Sequence, residues 1–315
     1  MAGLGRHWGL AAALGRALLG GRLPAADRAR GCPAVTGALR SEWLKLWKRP
    51  AVWILLAILF LLLVLLVYVL SWFSTRSIPA SVNLGPGVTK ADLLRTYYPQ
   101  NFHRQFLSLS SSLGEVMALI LGVLAVGSEY GWGTLKTMLT QGPGRLSALA
   151  AKLAVIGILL VVYVLACAAG AAATSAALGL ADGAALQWPD PIDIGKALLA
   201  SWLMLGWGAA FGVLLAFLFR QSALAIGLGL AYILVIEALV FSLLRQTHSS
   251  VVDTLQKFFP GPNATALTES FGQAVRFANQ PQPLVSGGQA AVVLLAFVAG
   301  ATLLSALLLR RQDIV

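Results

Sequence analysis

Two acidic side chains stand where acids are expensive: Glu115 and Glu237 each interrupt an otherwise apolar stretch of the 315-residue chain. Ionisable groups within membrane-length segments usually face a cavity or a partner, so the functional reading makes both residues contacts for a cargo or an ion. The structural reading puts Glu115 near one headgroup layer, a few residues into its segment. It leaves Glu237, about two turns from Arg245, to be satisfied by a neighbouring helix. No catalytic set accompanies them. His7, His103 and His248 are dispersed with none in a span, and Cys32 and Cys167 lack the spacing of a disulfide framework or a zinc site. Neither His-Glu-x-x-His nor Gly-x-Ser-x-Gly occurs, which disfavours an intramembrane hydrolase. A Gly-x-x-x-x-Gly-Lys-Ser/Thr loop is also missing, so the chain cannot cradle ATP phosphates in that way. No catalytic residue and no metal ligand is expected.

The elements that must position these acids follow from composition. The chain is 58% hydrophobic and 11% charged, with a mean hydropathy of +0.80; an ordinary soluble domain is about 25% charged. So apolar a chain cannot cover itself with polar surface, and a soluble enzyme is nearly excluded. The net charge of +11 would suit a nucleic-acid binder, but the 23 Lys and Arg are scattered between apolar stretches instead of forming a patch. The expected fold is all-α, with six transmembrane helices at about 51–73, 113–128, 153–181, 197–219, 222–244 and 289–309. The first supplies 23 uncharged residues, about 34 Å of helix against a hydrocarbon core of about 30 Å. The third is rich in Ala and Gly, which suits close helix contacts.

Six spans put both termini on one side. Fifteen of the 23 basic residues fall on that side, with Arg40, Lys45, Lys48 and Arg49 crowded before the first span. The positive-inside rule therefore predicts cytoplasmic termini. Residues 1–36 form an Arg- and Ala-rich extension with the composition of a transit peptide, yet Arg6, Arg16 and Arg22 share no helical face; it reads as a disordered tail or an upstream extension ahead of a permease domain at 37–315. Spans four and five are joined by little more than Arg220 and Gln221.

Only the connection from Ser128 to Lys152 gives the cytoplasmic side more than a tight turn. Ser128 could cap a helix with Glu129 in its first turn, while Trp132, Leu135 and Leu139 share one face. A short amphipathic helix along the membrane surface follows; the plainer alternative is a connector at headgroup level.

The series Glu129, Gly133-Thr134, Pro143, Arg145 and Lys152 resembles the connection between the second and third spans in type-2 permeases of bacterial ATP-binding-cassette exporters. The basic run at 37–49, the large first outside loop, the stretch Phe258-Phe259-Pro260-Gly261-Pro262-Asn263-Ala264 and the ending Arg310-Arg311-Gln312-Asp313 are similar to that family too. The resemblance covers roughly residues 37 to 315. It implies a half-transporter in the cell membrane, paired with itself or a paralogue. Its cytoplasmic helix, carrying Glu129, Tyr130, Gly133, Thr134, Leu135, Lys136 and Met138, would be a coupling helix that docks on a separate ATPase. ATP and Mg would then belong to that partner, with no cofactor in this chain. It further implies short outer helices before the last span. The alternative is an ATP-independent secondary transporter or channel, which would need two related halves; no convincing internal repeat is visible.

Overall fold

The computed structural model describes residues 31–79, 82, 84, 88–131, 144–237, 239, 240, 243, 250–272 and 285–311. Residues 1–30 and the segment 132–143, with Gly133, Thr134, Leu135, Lys136 and Met138, lie outside the described residues. No strand occurs among those described. The helices are α1 (Gly31–Trp47), α2 (Pro50–Arg76), α3 (Lys90–Arg95), α4 (Pro99–Gly131), α5 (Arg145–Ala181), α6 (Pro191–Phe219), α7 (Ser222–Ile236), α8 (Ser250–Gln256), α9 (Pro260–Glu269) and α10 (Gly287–Arg311).

Five of them, α2, α4, α5, α6 and α10, are long and apolar enough to cross a membrane. The fifth expected span appears as the shorter apolar helix α7, about 22 Å long at 1.5 Å per residue. Large side chains such as Ile54, Leu65 and Phe73 of α2 or Leu303 of α10 point outward, as they must where lipid replaces water. The chain is a multi-pass, all-α membrane protein.

Local sequence explains the boundaries. Pro191 opens α6 at its first position, where a missing N–H costs nothing, and the Asp190 carboxylate accepts the Ile192 N–H at 2.8 Å. The helix ends at Arg220, whose left-handed φ of 55° turns the chain into α7 within two residues. Three helices begin well before their expected spans, the fourth span at Pro191 instead of 197. The second span begins at Pro99 instead of 113, because Phe102, Phe106 and Leu107 are buried and continue the apolar face. The third begins at Arg145 instead of 153.

The extension of the second span corrects one expectation and locates one of the acids along its helix. His103 lies within the helix of span two, buried with its ring near those of Phe102 and Phe271. Glu115 stands 16 residues from either end of α4 and so occupies its middle, about 24 Å from each end.

At the centre, α6 packs against α4, α5, α7 and α10. Its contact with α4 is the closest. A Cβ built on Gly208 would sit 2.4 Å from the Glu115 carbonyl oxygen, and one on Gly212 would sit 2.2 Å from that of Leu119. On the facing helix, a Cβ on Gly122 would meet the Ala209 carbonyl at 2.2 Å. Since burial from water offers little drive between helices in lipid, this small-residue seam holds them by direct van der Waals contact.

The two ends of the bundle are fastened differently. At the far end Asp182 accepts from Trp72 Nε1 at 2.9 Å and Tyr98 Oη at 3.0 Å, and it pairs with Arg76 at 3.1 Å. The short helices α8 and α9 precede α10, as the resemblance implies, and α9 packs on α10 and α4. The other end carries α1, the start of α2, the end of α4 and the start of α5. It holds the basic residues that crowd before the first span.

Candidate functional site

The basic end is built on one stripe of α1. Ala38, Glu42 and Leu46, spaced four apart, are buried, while Arg40, Leu44 and Lys48 face outward. The stripe lies on α5, so a carboxylate is pressed into a helix interface. Its counter-charge comes from Lys152, two turns into α5. Lys152 Nζ donates to Glu42 Oε2 at 2.7 Å, to Glu129 Oε1 at 2.7 Å and to the Ala125 carbonyl at 3.1 Å. Three protons of one ammonium thus find three acceptors.

Lys45 closes the figure from the rim. Its Nζ lies 2.9 Å from Glu42 Oε1 and 3.5 Å from Glu129 Oε1, with the side chain 40% exposed. Glu42, Lys152, Glu129 and Lys45 therefore alternate in sign around a closed ring of zero net charge. Alternation is what makes this burial tolerable, because each carboxylate touches two ammonium groups. Burial alone would raise the Glu42 carboxyl, but Lys152 and then Lys45 outweigh it and hold Glu42 below its ordinary range. Burial likewise pulls Lys45 down, yet Glu42 and Glu129 raise it above the usual lysine value.

A second clasp lies beside the ring. Arg49, the residue before the first span, donates through Nη1 to the Leu124 carbonyl at 2.9 Å and to Ser128 Oγ at 2.7 Å. Ser128 returns its own hydroxyl to Leu124 at 2.7 Å. It is therefore not the cap of a new helix: α4 runs through it and through Glu129 as far as Gly131, the last residue described before 144. Tyr130 follows, its ring edge-on to Phe217 of α6 at 6.3 Å.

The described structure stops at Gly131 and resumes at Gly144. Glu129 is on the departing stem and Lys152 on the returning one, so the ring ties both stems of the connecting segment to α1. Farther round, Arg145 Nη1 reaches the carbonyls of Leu309 and Arg310 at 3.4 Å, joining the returning stem to the last turn of α10. Among the described residues the arrangement consists of ion pairs and hydrogen bonds that tie helices together. It can transmit a displacement of the connecting segment to four helices.

Sequence reasoning singled out Glu129 and Tyr130 but missed Glu42, Lys45 and Arg49 as partners. Two signals were present: Glu42 is the sole acid in a basic run, and Lys152 lies on a helix that is otherwise apolar from there to Ala181.

The intramembrane acids lie elsewhere. Glu115 is 3% exposed, and its Oε1 has no hydrogen-bond partner among the described residues. Glu237 follows α7 and accepts the Gly261 N–H of α9 at 2.8 Å through Oε1. The two are near enough to interact electrostatically. Each directly follows a widened π turn, 110–114 and 232–236, a feature frequent at functional sites. Among the described residues no group of three or more His, Cys, Asp or Glu could hold a metal ion.

Comparison with known proteins agrees with the architecture. No curated protein matches the chain. A family model described as ABC-2 family transporter protein matches residues 38–314, from the buried stripe of α1 past the end of α10. With nearly the whole chain covered by one model of a membrane transport component, the protein belongs to the ABC-2 transporter family.

Proposed function

We propose that the protein is the permease subunit of an ATP-driven exporter of the cell membrane, with both termini in the cytoplasm and six spans, α7 being the core of the fifth. The observation that carries this reading is the charged ring, which ties both stems of the 132–143 connection to α1, α4 and α5. A connector that merely returned the chain would not need three buried charges at its root. In this reading the segment, with Gly133, Thr134, Leu135, Lys136 and Met138, forms a coupling helix on a separate ATPase. That partner holds ATP and Mg, and this chain contributes no cofactor. Two copies, identical or paralogous, enclose the pathway, and ATPase closure pushes on the paired stems. Glu42, Lys152 and Glu129 pass the push to α1, α5 and α4 as one body, and the close α4–α6 seam carries it onward.

Reconstitution tests this. The purified chain in liposomes should move no cargo under a proton or sodium gradient, and should become active only when the ATPase subunit and Mg-ATP are added. Gradient-driven transport by the chain alone would establish a secondary transporter instead.

A further inference from the structure

Helix α1 is not a span, yet it exposes apolar surface. It carries Arg40, Glu42 and Lys45 among its 17 residues and precedes the first span. Leu44 on it is 45% exposed and Trp47 is 39% exposed. A helix turns its side chains out in rows spaced four apart. The first row of α1, that of Glu42, is buried on α5. Beside it run Leu39, Trp43 and Trp47, and next to those Arg40, Leu44 and Lys48. The Lys48 N–H still bonds back to the Leu44 carbonyl at 3.2 Å, so this outer row keeps its register to the end.

The tryptophan row is fastened to the membrane. Trp43 stacks on Trp47 at 4.9 Å, and Trp47 meets Trp53 edge-on at 4.6 Å. Trp53 also donates through Nε1 to the Trp47 carbonyl at 2.8 Å. Because Trp53 is the fourth residue of α2, the stack starts on a membrane-spanning helix and passes onto α1. That contact holds α1 at the level where the first span meets the headgroups, the depth an indole prefers with its apolar body and polar N–H.

The outer row adds charge at the same level. Arg40 and Lys48 are exposed, about 12 Å apart along the helix axis with Leu44 between them. The sole acid between Asp27 and Asp92 is Glu42, and it is buried in the ring, so α1 offers these cations no exposed carboxylate. A zwitterionic headgroup would suit the indoles but bring the cations as much positive charge as negative. An acidic soluble protein would answer the cations only by drawing the indoles away from the headgroups. A lipid of net negative charge satisfies both rows at once.

We propose that α1 is a binding surface for anionic phospholipid, with Arg40 and Lys48 holding the headgroup and the Trp43–Trp47–Trp53 stack lying against the upper acyl chains. The proposal does not depend on the transport reading. It gives the helix that carries Glu42 two supports, the charged ring on its buried side and the lipid on its exposed side.

The test is equilibrium binding of phosphatidylglycerol with a fluorescent acyl chain to the full chain in mild detergent. Unlabelled phosphatidylglycerol, phosphatidylcholine and glycerol phosphate serve as competitors. Saturable binding is expected, displaced by phosphatidylglycerol and poorly by the other two. Each cation near an anionic surface strengthens binding about fivefold, so Arg40→Gln/Lys48→Gln should weaken it roughly tenfold or more. Trp47→Ala should weaken it about threefold or more. Arg310→Gln/Arg311→Gln, on α10 at the same end of the bundle, should bind like the wild type. An unchanged melting temperature shows that the fold survives; if the double variant at 40 and 48 melts lower, its two single variants and the competitors still decide. No saturable binding, equal displacement by phosphatidylcholine or glycerol phosphate, or an equal loss in Arg310→Gln/Arg311→Gln would each overturn the proposal. So would full lipid binding by Arg40→Gln/Lys48→Gln, and if that variant also loses a protein partner on size-exclusion chromatography, the surface is a protein contact instead. No ATPase or cargo enters this measurement, so its failure leaves the permease reading standing.

Discussion

Removing Lys152 probes the ring at its strongest point. Its ammonium makes two contacts of 2.7 Å with carboxylates that are 1% and 3% exposed. In Lys152→Met the methylene volume is roughly kept while Glu42 and Glu129 are left buried with only the half-exposed Lys45 between them. Breaking a buried pair by deleting one partner costs about 3–5 kcal/mol. Followed by intrinsic tryptophan fluorescence in detergent, that corresponds to a melting temperature lower by roughly 6–20 °C for a chain of this size. The double variant Lys152→Met/Glu129→Gln restores neutrality, because Glu42 and Lys45 still pair, so it should recover most of the loss. Lys45→Ala should cost only about 0–1 kcal/mol, since its side chain is 40% exposed and solvent screens it. A Lys152→Met protein that melts within about 1 °C of the wild type, or a double variant whose losses simply add, would refute the closed ring.

Further expectations follow from the packing and the charges. Gly212→Ala drives a methyl group into the Leu119 carbonyl and should destabilise by about 1–3 kcal/mol, whereas Gly206→Ala on the same helix meets nothing within 4 Å and should melt like the wild type. Because Glu42 is held below its ordinary range, its contribution is fully present above that range and fades as pH falls through the lowered value. The stability gap between wild type and Glu42→Gln should accordingly stay constant near neutrality and close in acid. Lys45 is raised, so its smaller share should be present up to the usual lysine range and disappear only as pH rises through the higher folded value. Deleting residues 134–138 should leave the melting temperature nearly unchanged yet abolish ATP-dependent transport in reconstituted vesicles.

What the sequence revealed tracks what is local. Uncharged runs disclosed the long helices, Asp190-Pro191 and Arg220-Gln221 marked real boundaries, and the basic run before Pro50 located one end of the bundle. Helix extent was less legible, because buried Phe102 and Phe106 look the same in a loop sequence as in a helix that simply continues. That ambiguity hid the place of Glu115 at the middle of α4. Ser128 looked like a cap because its residue type suits one; within a running helix the same hydroxyl bonds back to Leu124. The ring was hidden for a different reason. Glu42, Glu129 and Lys152 are 110 residues apart at most in sequence, and no local pattern reports which helices meet. A search for the acid within a basic run, paired with the lysine at the start of an apolar helix, would have brought two of them together.

The central claim, that the 132–143 connection couples this chain to an ATPase, is tested most directly by affinity purification of the full chain from its native membranes in mild detergent. The eluate is then assayed for a co-purifying phosphate-loop protein and for ATP hydrolysis. Both are expected in the wild type and neither in the variant lacking residues 134–138, with the permease itself recovered in equal amount. Recovery of the wild-type chain alone, or of the same ATPase with the shortened variant, would contradict it.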